Sequence, residues 1–207
     1  MKSVELAQAM LAIGAAAALV TGCGGGSGDG GSASASSSPS STRPSVAVPV
    51  SPAPAQRNMN GRPAVTFDPC VDVGDDVIQQ MGFDPKSRAR SESELAGDTY
   101  TFLGCNFKQK NAEGRRTWSL DMYATNISMT EFGDRYRQTM KEYTIGGQPA
   151  MTYRLSESDY QGGCFLAMDS SVGVLNLSLF GYVDRDPGDP CVRVRVVAEK
   201  LQSDLPR

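Results

Sequence analysis

The chain has 207 residues and a net charge of −3, from 23 acidic and 20 basic side chains, so its overall charge gives no reason to expect nucleic acid or an anionic membrane surface as a partner. It contains no histidine, which excludes Ser-His-Asp and Cys-His catalysis and removes the commonest protein ligand of zinc and copper. Five cysteines are the other unusual feature of the composition.

The amino terminus is predicted to be a lipoprotein signal peptide, residues 1–22. Residues 10–20 (MLAIGAAAALV) are apolar and follow Lys2. This run is shorter than the roughly 20 residues of a transmembrane helix and is typical of the h-region of a signal peptide. It ends in VTGC (residues 20–23), which resembles a bacterial lipobox. We therefore expect Cys23 to be the lipidated amino terminus, with acyl chains such as palmitate; the alternative is an ordinary cleaved signal that leaves an unpaired thiol.

Residues 23–61 are predicted to be the lipidated cysteine followed by a disordered tether. From residue 24 onward Gly, Ser, Ala and Pro predominate, and large apolar side chains are almost absent. Such a segment cannot bury enough surface to offset the entropy lost on ordering. Residues 39–54 are proline-rich and are expected to be stiffer and polyproline-like. The remaining residues, 62–207, are long enough for one globular domain.

The sequence Asp-Pro-Cys occurs twice, at residues 68–70 and 189–191. Aspartate caps the free amides of a helix amino terminus, and proline is favoured at the first helical position. The motifs therefore predict two helices, one ending at Gly82 and one running to the end of the chain. Apolar residues recur at helical spacing in both: Cys70, Val73, Val77, Ile78 and Met81, then Cys191, Val194, Val197, Ala198, Leu201 and Leu205. The alternation in CVRVRVV (residues 191–197) also fits a strand, but the cap before it favours a helix.

Four cysteines remain besides Cys23, an even number that predicts two disulfides in an exported chain. Four cysteines allow three pairings, and the sequence alone does not choose among them. Cys105 and Cys164 lie in segments rich in aromatic and aliphatic residues, 99–109 and 162–171, which are predicted strands. The simplest arrangement pins the start of each helix to a strand, which pairs Cys70 with Cys105 and Cys164 with Cys191.

The middle of the domain is predicted to contain further strands and one helix. Residues 116–126 alternate apolar and polar side chains, as a half-buried strand does, and residues 148–155 and 173–183 are also predicted strands. Between them, Ser128 and Glu131 form a capping box ahead of a core stripe of Phe132, Tyr136 and Met140. The predicted fold is a single α+β domain, an antiparallel sheet with helices packed on it.

The combination of FDPC (residues 67–70), GFDP (residues 82–85) and Cys105 behind a lipobox and a tether resembles a family of actinobacterial cell-envelope lipoproteins known as domain of unknown function 3558. That resemblance implies an extracytoplasmic, membrane-anchored domain and supplies no activity and no catalytic residues. The layout is also similar to small α+β lipoprotein domains of the Mog1/PsbP type.

Two clusters of acidic residues are candidate sites. Asp184, Asp186 and Asp189 could suit calcium, but no glutamate closes the loop, and a turn leading into a helix cap explains them better. Asp72, Asp75 and Asp76 are predicted to be a solvated face near a helix start. Arg115 and Arg116 are expected to be exposed in a turn. The sequence thus predicts no catalytic residue, no metal ligand and no cofactor.

The function predicted from these features is that of a non-enzymatic lipoprotein, held to the cell membrane on its extracytoplasmic face through Cys23. Its domain is expected to bind an envelope protein, a lipid or a glycan. One alternative is an enzyme, or an accessory subunit of one, that uses carboxylates on cell-wall substrates. Another is a structural or assembly component of an envelope complex.

Overall fold

The computed structural model describes residues 44–57, 61–155, 162–182 and 188–206. The predicted signal peptide, Cys23 and the first part of the tether lie outside the described residues, as do Asp184 and Asp186. Residues Ser41–Arg207 make up one compact unit. In the ranges that the structure describes, no helix is both long enough and apolar enough to cross a membrane.

The centre of the unit is one antiparallel sheet of eight strands, in the order β1-β3-β4-β8-β7-β6-β5, with β2 also paired to β3. The strands are β1 (Asp84–Arg90), β2 (Leu95–Ala96), β3 (Thr101–Lys110), β4 (Arg116–Thr125), β5 (Lys141–Ile145), β6 (Gln148–Tyr153), β7 (Gly163–Met168) and β8 (Val174–Gly181). The described helices are α1 (Pro69–Asp72), α2 (Asp75–Gln80), α3 (Met129–Tyr136) and α4 (Pro190–Asp204). The predicted α+β class and the antiparallel sheet with helices packed on it are confirmed.

The first face of the sheet carries α1, α2, α4 and the main core. The cap is as predicted, because the Asp189 side chain accepts a hydrogen bond from the amide of Cys191 and Pro190 begins α4. The apolar stripe of α4 packs on the sheet, and the inward residues of β4 are buried beneath the helices: Trp118, Leu120, Met122 and Ala124. The segment CVRVRVV is therefore helical, as the cap indicated.

The helix predicted to run from Cys70 to Met81 is interrupted. Val73 has an extended backbone, with φ −104° and ψ 120°, and Gly74 follows as the cap of α2. Because α1 ends here, the carbonyl of Cys70 is free to accept a hydrogen bond from Arg88 Nη1, at 3.1 Å. The end of α2 agrees with the prediction, since Gly82 has φ +87°, a conformation that favours glycine.

Asp75 is not the solvated residue that the sequence predicted. Its carboxylate lies 2.6 Å from Arg88 Nη2, and the Arg88 side chain is fully buried. The ring of Phe107 lies under the guanidinium, 5.0 Å from it. Asp75 also accepts a hydrogen bond from the backbone amide of Ala47. The break between the helices therefore lies beside an ion pair in which Arg88 is fully buried and Asp75 is partly exposed.

Both predicted disulfides are present: Cys70–Cys105 and Cys164–Cys191. Cys70, Cys105 and Cys164 are fully buried, and Cys191 is half-buried at the start of α4. Each bond joins the first turn of a helix to a strand, so the two Asp-Pro-Cys motifs combine a helix cap with a covalent attachment to the sheet.

The second face of the sheet carries α3, which packs on β6 and β7. The predicted capping box of Ser128 and Glu131 is present. Phe132 and Tyr136 pack on Tyr153, and the rings of Tyr136 and Tyr153 are stacked 4.0 Å apart. Met140 packs in the same cluster, but it is not part of the helix. It lies beyond the end of α3 and directly before β5.

Part of the predicted tether lies along the domain. Val50 and Ala53 pack against the main core, and the carbonyl of Ser51 accepts a hydrogen bond from Arg90 Nε at 2.9 Å. Gln56 and Val65 exchange two hydrogen bonds of 2.8 Å. The composition predicted a stiff spacer here, whereas the structure shows residues 44–57 in contact with the folded unit.

Candidate functional site

A groove runs across the second face of the sheet, on the side of β3, β4 and β8. It consists of two adjoining cavities that share Ser93 and Asp121. The apolar end has a volume of about 220 Å³ and the polar end about 330 Å³. Asp121 thus lies where an apolar surface meets a polar one.

Aromatic side chains form the apolar end of the groove. Phe102 packs edge-on against Tyr123, and Phe165 packs edge-on against Phe180. Two glycines make room for these rings: a Cβ at Gly104 would collide with Tyr123, and one at Gly163 would lie 2.5 Å from Phe180. The end is completed by Leu155.

The register of the sheet places a row of polar side chains across the groove. Asn106 on β3 is paired with Asp121 on β4, which is paired with Ser178 on β8. Ser178 is paired in turn with Phe165 on β7. Directly paired residues on one face of an antiparallel sheet have Cβ atoms roughly 5 Å apart. Amide, carboxyl, hydroxyl and aromatic groups therefore follow one another in a single row.

Further polar side chains surround Asp121. Its Oδ1 accepts hydrogen bonds from Ser91 Oγ at 2.7 Å and from Asn106 Nδ2 at 3.2 Å. The Tyr123 hydroxyl is also 2.7 Å from Ser91 Oγ. The polar end contains further basic and hydroxyl groups as well: Lys108, Arg116 and Ser119. The site thus offers donors and acceptors on both sides of one carboxyl group.

Burial raises the pKa values of Asp121 and Tyr123, the two ionisable groups at the centre of the groove. Burial raises the pKa of Asp121 above its ordinary value, and the hydrogen bonds from Ser91 and Asn106 only partly oppose that effect. The charge of Glu92, also at the polar end, raises the pKa further. Burial also raises the pKa of Tyr123 to about 12, so its hydroxyl keeps its proton at neutral pH. A carboxylate that is costly to ionise in a groove is a candidate binding residue.

Replacement of Asp121 by asparagine is expected to stabilise the protein at neutral pH. A raised pKa means that the folded state holds the proton more tightly than the unfolded chain, so ionisation of Asp121 lowers stability above that pKa. The advantage of Asp121→Asn should shrink as the pH falls through the raised pKa toward the ordinary value of 3.8. Thermal unfolding of both proteins from pH 7 to pH 3.5 measures this difference, with the exposed Asp76→Asn as control. A pH-independent difference would contradict the assignment.

Of the residues considered from sequence, Arg116 lines the polar end of the groove and is half-buried at the start of β4, not exposed in a turn as expected; the others that the structure describes lie outside the groove. Asp189 caps α4, Asp72 accepts a hydrogen bond from the amide of Asp68, and Arg116 donates to the hydroxyl of Tyr182 at 2.8 Å. Asp184 and Asp186, the other two acidic residues of the candidate calcium loop, are outside the described residues. Among the residues the structure describes, no group of three or more Cys, Asp or Glu side chains is arranged to hold a metal ion.

Sequence reasoning missed the groove. Asp121 stands in β4 between buried apolar residues, where alternation alone makes it look like an ordinary solvent-facing residue. The available signal was local: a strand with Asp121 and Tyr123 on its polar side, opposite a strand with Asn106.

Fold and site together define a two-disulfide α+β domain with a groove on one face of its sheet. The chain belongs to the family described as Protein of unknown function (DUF3558), whose model matches residues 18–203. No curated protein and no solved structure shows significant similarity to the chain. The similarity to Mog1/PsbP domains therefore stays a prediction.

Proposed function

We propose that this protein is an extracytoplasmic lipoprotein, anchored to the cell membrane through acyl chains on Cys23, whose domain binds a glycan of the cell envelope in the sheet-face groove. The observation that carries the proposal is the row of Asn106, Asp121 and Ser178 beside an aromatic surface. We also propose an actinobacterial origin, which the resemblance to the cell-envelope lipoprotein family implies.

The chemistry of the groove favours a neutral, hydroxyl-rich ligand. Sugar rings present vicinal hydroxyls to hydrogen-bonding side chains and an apolar C–H surface to aromatic rings. Asp121 accepts from hydroxyls, Asn106 offers its amide oxygen because its Nδ2 already donates to Ser119 and Asp121, and Ser178 both donates and accepts. Phe165 and Phe180 supply the apolar contact, and the polar groups beside them fix the orientation of the ligand, as in most small-molecule sites.

The anchor is supported by several independent features. The apolar run and VTGC sequence at residues 10–23 are followed by a Gly/Ser-rich segment, and the family match begins at residue 18, ahead of Cys23. Two structural disulfides suit an oxidising compartment outside the cytoplasm. Two acyl chains suffice for stable membrane attachment.

Labelling with an alkyne fatty acid tests the anchor. Cells that express the full chain should incorporate the label into this protein, and Cys23→Ser should abolish incorporation. A Thr21→Ser variant keeps a small residue in the motif and should retain the label. Equal labelling of the Cys23→Ser chain would rule out this anchor.

Calorimetric titration tests the groove, with short neutral oligosaccharides as the probe and the unit from residue 41 to residue 207, disulfides intact. Asp121→Ala and Phe180→Ala are each expected to weaken binding about tenfold or more, because each removes one side of the contact. Lys86→Ala, on the exposed surface of β1, is the matched control and should bind like the parent.

Three outcomes would count against glycan binding. Retained affinity in both groove variants would place the ligand elsewhere. Binding of extracted envelope lipids or of a protein, with no response to oligosaccharides, would support the other ligand classes predicted from sequence. Cleavage of the oligosaccharide during the titration would instead support the carboxylate enzyme.

A further inference from the structure

A cavity separate from the groove lies on the helix-bearing face, between the first turns of α4 and the hairpin of β5 and β6. Its volume is about 200 Å³, which is room for one phosphate group and its hydration. In the register of the hairpin, Lys141 is paired with Thr152, and both line the cavity. This cavity shares no lining residue with the groove.

Three basic side chains line this cavity: Lys141, Arg154 and Arg195. Among the described lining residues, Asp189 is the one acidic group. Its carboxylate already accepts from the amide of Cys191 at 2.8 Å and lies 3.9 Å from Arg154 Nη2, in a pair whose side chains are 51% and 56% exposed. An ion pair so long and so exposed holds Arg154 only weakly. The cavity therefore keeps an excess of positive charge.

Two of the three cations are positioned by the fold. The guanidinium of Arg195 lies over the ring of Tyr143 at 4.7 Å, and its Nε donates to the carbonyl of Cys191 at 3.3 Å. Arg154 Nη1 donates to the carbonyl of Gly163 at 3.0 Å. Both arginines retain further N–H groups, since a guanidinium has five, and these can reach the oxygens of a phosphate.

An exposed apolar stripe begins at the rim of the same cavity. Val192 is 52% exposed and lines it, and Val196, one turn further along α4, is 46% exposed. The buried stripe of α4 lies on the other side of the helix, at Val194 and Val197. One turn beyond Val196 the exposed residues are charged, Glu199 and Lys200, so the apolar surface ends at Val196. Exposed apolar side chains next to basic ones are typical of protein surfaces that bind at a membrane interface.

We infer that this surface of α4 and the β5–β6 hairpin docks on an anionic phospholipid bilayer, with a headgroup phosphate held by Lys141, Arg154 and Arg195. Val192 and Val196 then lie at the boundary of the acyl chains. The net charge of the whole chain is mildly acidic and gave no reason to expect such a partner. It does not reveal this local concentration of basic groups, because it sums over all charged residues. The inference goes beyond the groove and does not depend on Cys23, although an anchored chain would keep this surface close to lipid.

Vesicle co-sedimentation of the unlipidated unit from residue 41 to residue 207 tests this docking. The probes are vesicles of phosphatidylcholine alone and vesicles that also contain phosphatidylglycerol. The unit should partition into the anionic vesicles, and Lys141→Ala/Arg154→Ala should reduce partitioning by about 30-fold, since each basic side chain near an anionic surface contributes about fivefold. Val192→Ser/Val196→Ser should weaken binding while it leaves the charge unchanged.

The matched control is Lys86→Ala/Lys110→Ala, which removes the same charge from the exposed surface of β1 and β3. It should keep most of the partitioning, and circular dichroism shows whether each variant is folded. Equal losses in the two double variants would overturn the docking surface, because they would mean general electrostatic attraction. Binding of soluble glycerol phosphate at these residues without vesicle binding would also overturn it and would assign a site for a free phosphate compound.

Discussion

Replacement of both Cys70 and Cys105 by alanine is expected to lower the free energy of unfolding by about 4 kcal/mol. The bond joins residues 35 apart in sequence, and the chain-entropy estimate for a loop of that length is close to this value. Both cysteines are fully buried, so their removal also leaves unfilled space between α1 and β3. Urea unfolding of the oxidised protein, followed by circular dichroism, measures the loss.

The Cys164→Ala/Cys191→Ala variant provides the comparison. It opens a loop of similar length, 27 residues, but Cys191 is only half-buried, so we expect a smaller loss. A loss below about 1 kcal/mol for the first pair would contradict the structural role given to the Asp-Pro-Cys motif, since removal of a native disulfide from a small domain typically costs about 2–5 kcal/mol.

Replacement of Asp75 by alanine is expected to destabilise the protein by about 3 kcal/mol. The Arg88 side chain has no exposed surface, so loss of its partner leaves an uncompensated charge inside the protein. The variant also removes the acceptor for the amide of Ala47, which releases part of the segment at residues 44–57. The measurement is again the free energy of unfolding in urea.

Asp76→Ala is a close control, because Asp76 is the next residue of α2, carries the same charge and is exposed. It should change stability by less than about 0.5 kcal/mol, as surface substitutions usually do. A second change, Arg88→Leu in the Asp75→Ala background, should recover part of the loss, because it removes the unpaired charge. Arg88 Nε already lacks a hydrogen-bond partner among the described residues, which favours that recovery. If Asp75→Ala and Asp76→Ala behave alike, the ion pair does not stabilise the fold.

The features that could be predicted from the sequence depend on interactions between residues only a few positions apart. Asp68 and Asp189 cap their helices because the capping interaction needs only the next two amides. The capping box of Ser128 works over three residues in the same way. The caps place Cys70 and Cys191 in the first turns of their helices, which favoured the observed pairing as the simplest one, but they do not by themselves choose among the three pairings.

The missed features depend on tertiary contacts. β1 has the sequence DPKSRAR, with no large apolar side chain, and is a strand because it pairs with β3 and buries Arg88 beneath α1 and α2. The short β5 is charged at its start and pairs only with β6 among the described strands. The break at Gly74 likewise accompanies the ion pair of Arg88 with Asp75. No local sequence pattern predicts that pair.

The complete groove could not be read from sequence because β8, which carries Ser178, is far along the chain from the β3–β4 hairpin that carries Asn106 and Asp121. Asn106, Asp121 and Ser178 meet only through the register of β3, β4 and β8. The raised pKa of Asp121 is caused chiefly by burial, which depends on the packing around the whole site.

Two-dimensional NMR of the labelled unit during titration with neutral envelope oligosaccharides shows which surface of the domain binds the glycan. We expect amide shift changes that centre on Asn106, Asp121 and Ser178 and are lost in Asp121→Ala. Amides of α4 near Val192 should stay unchanged, since that surface is assigned to lipid. Shift changes confined to α4, or none in the groove at saturating oligosaccharide, would contradict the account.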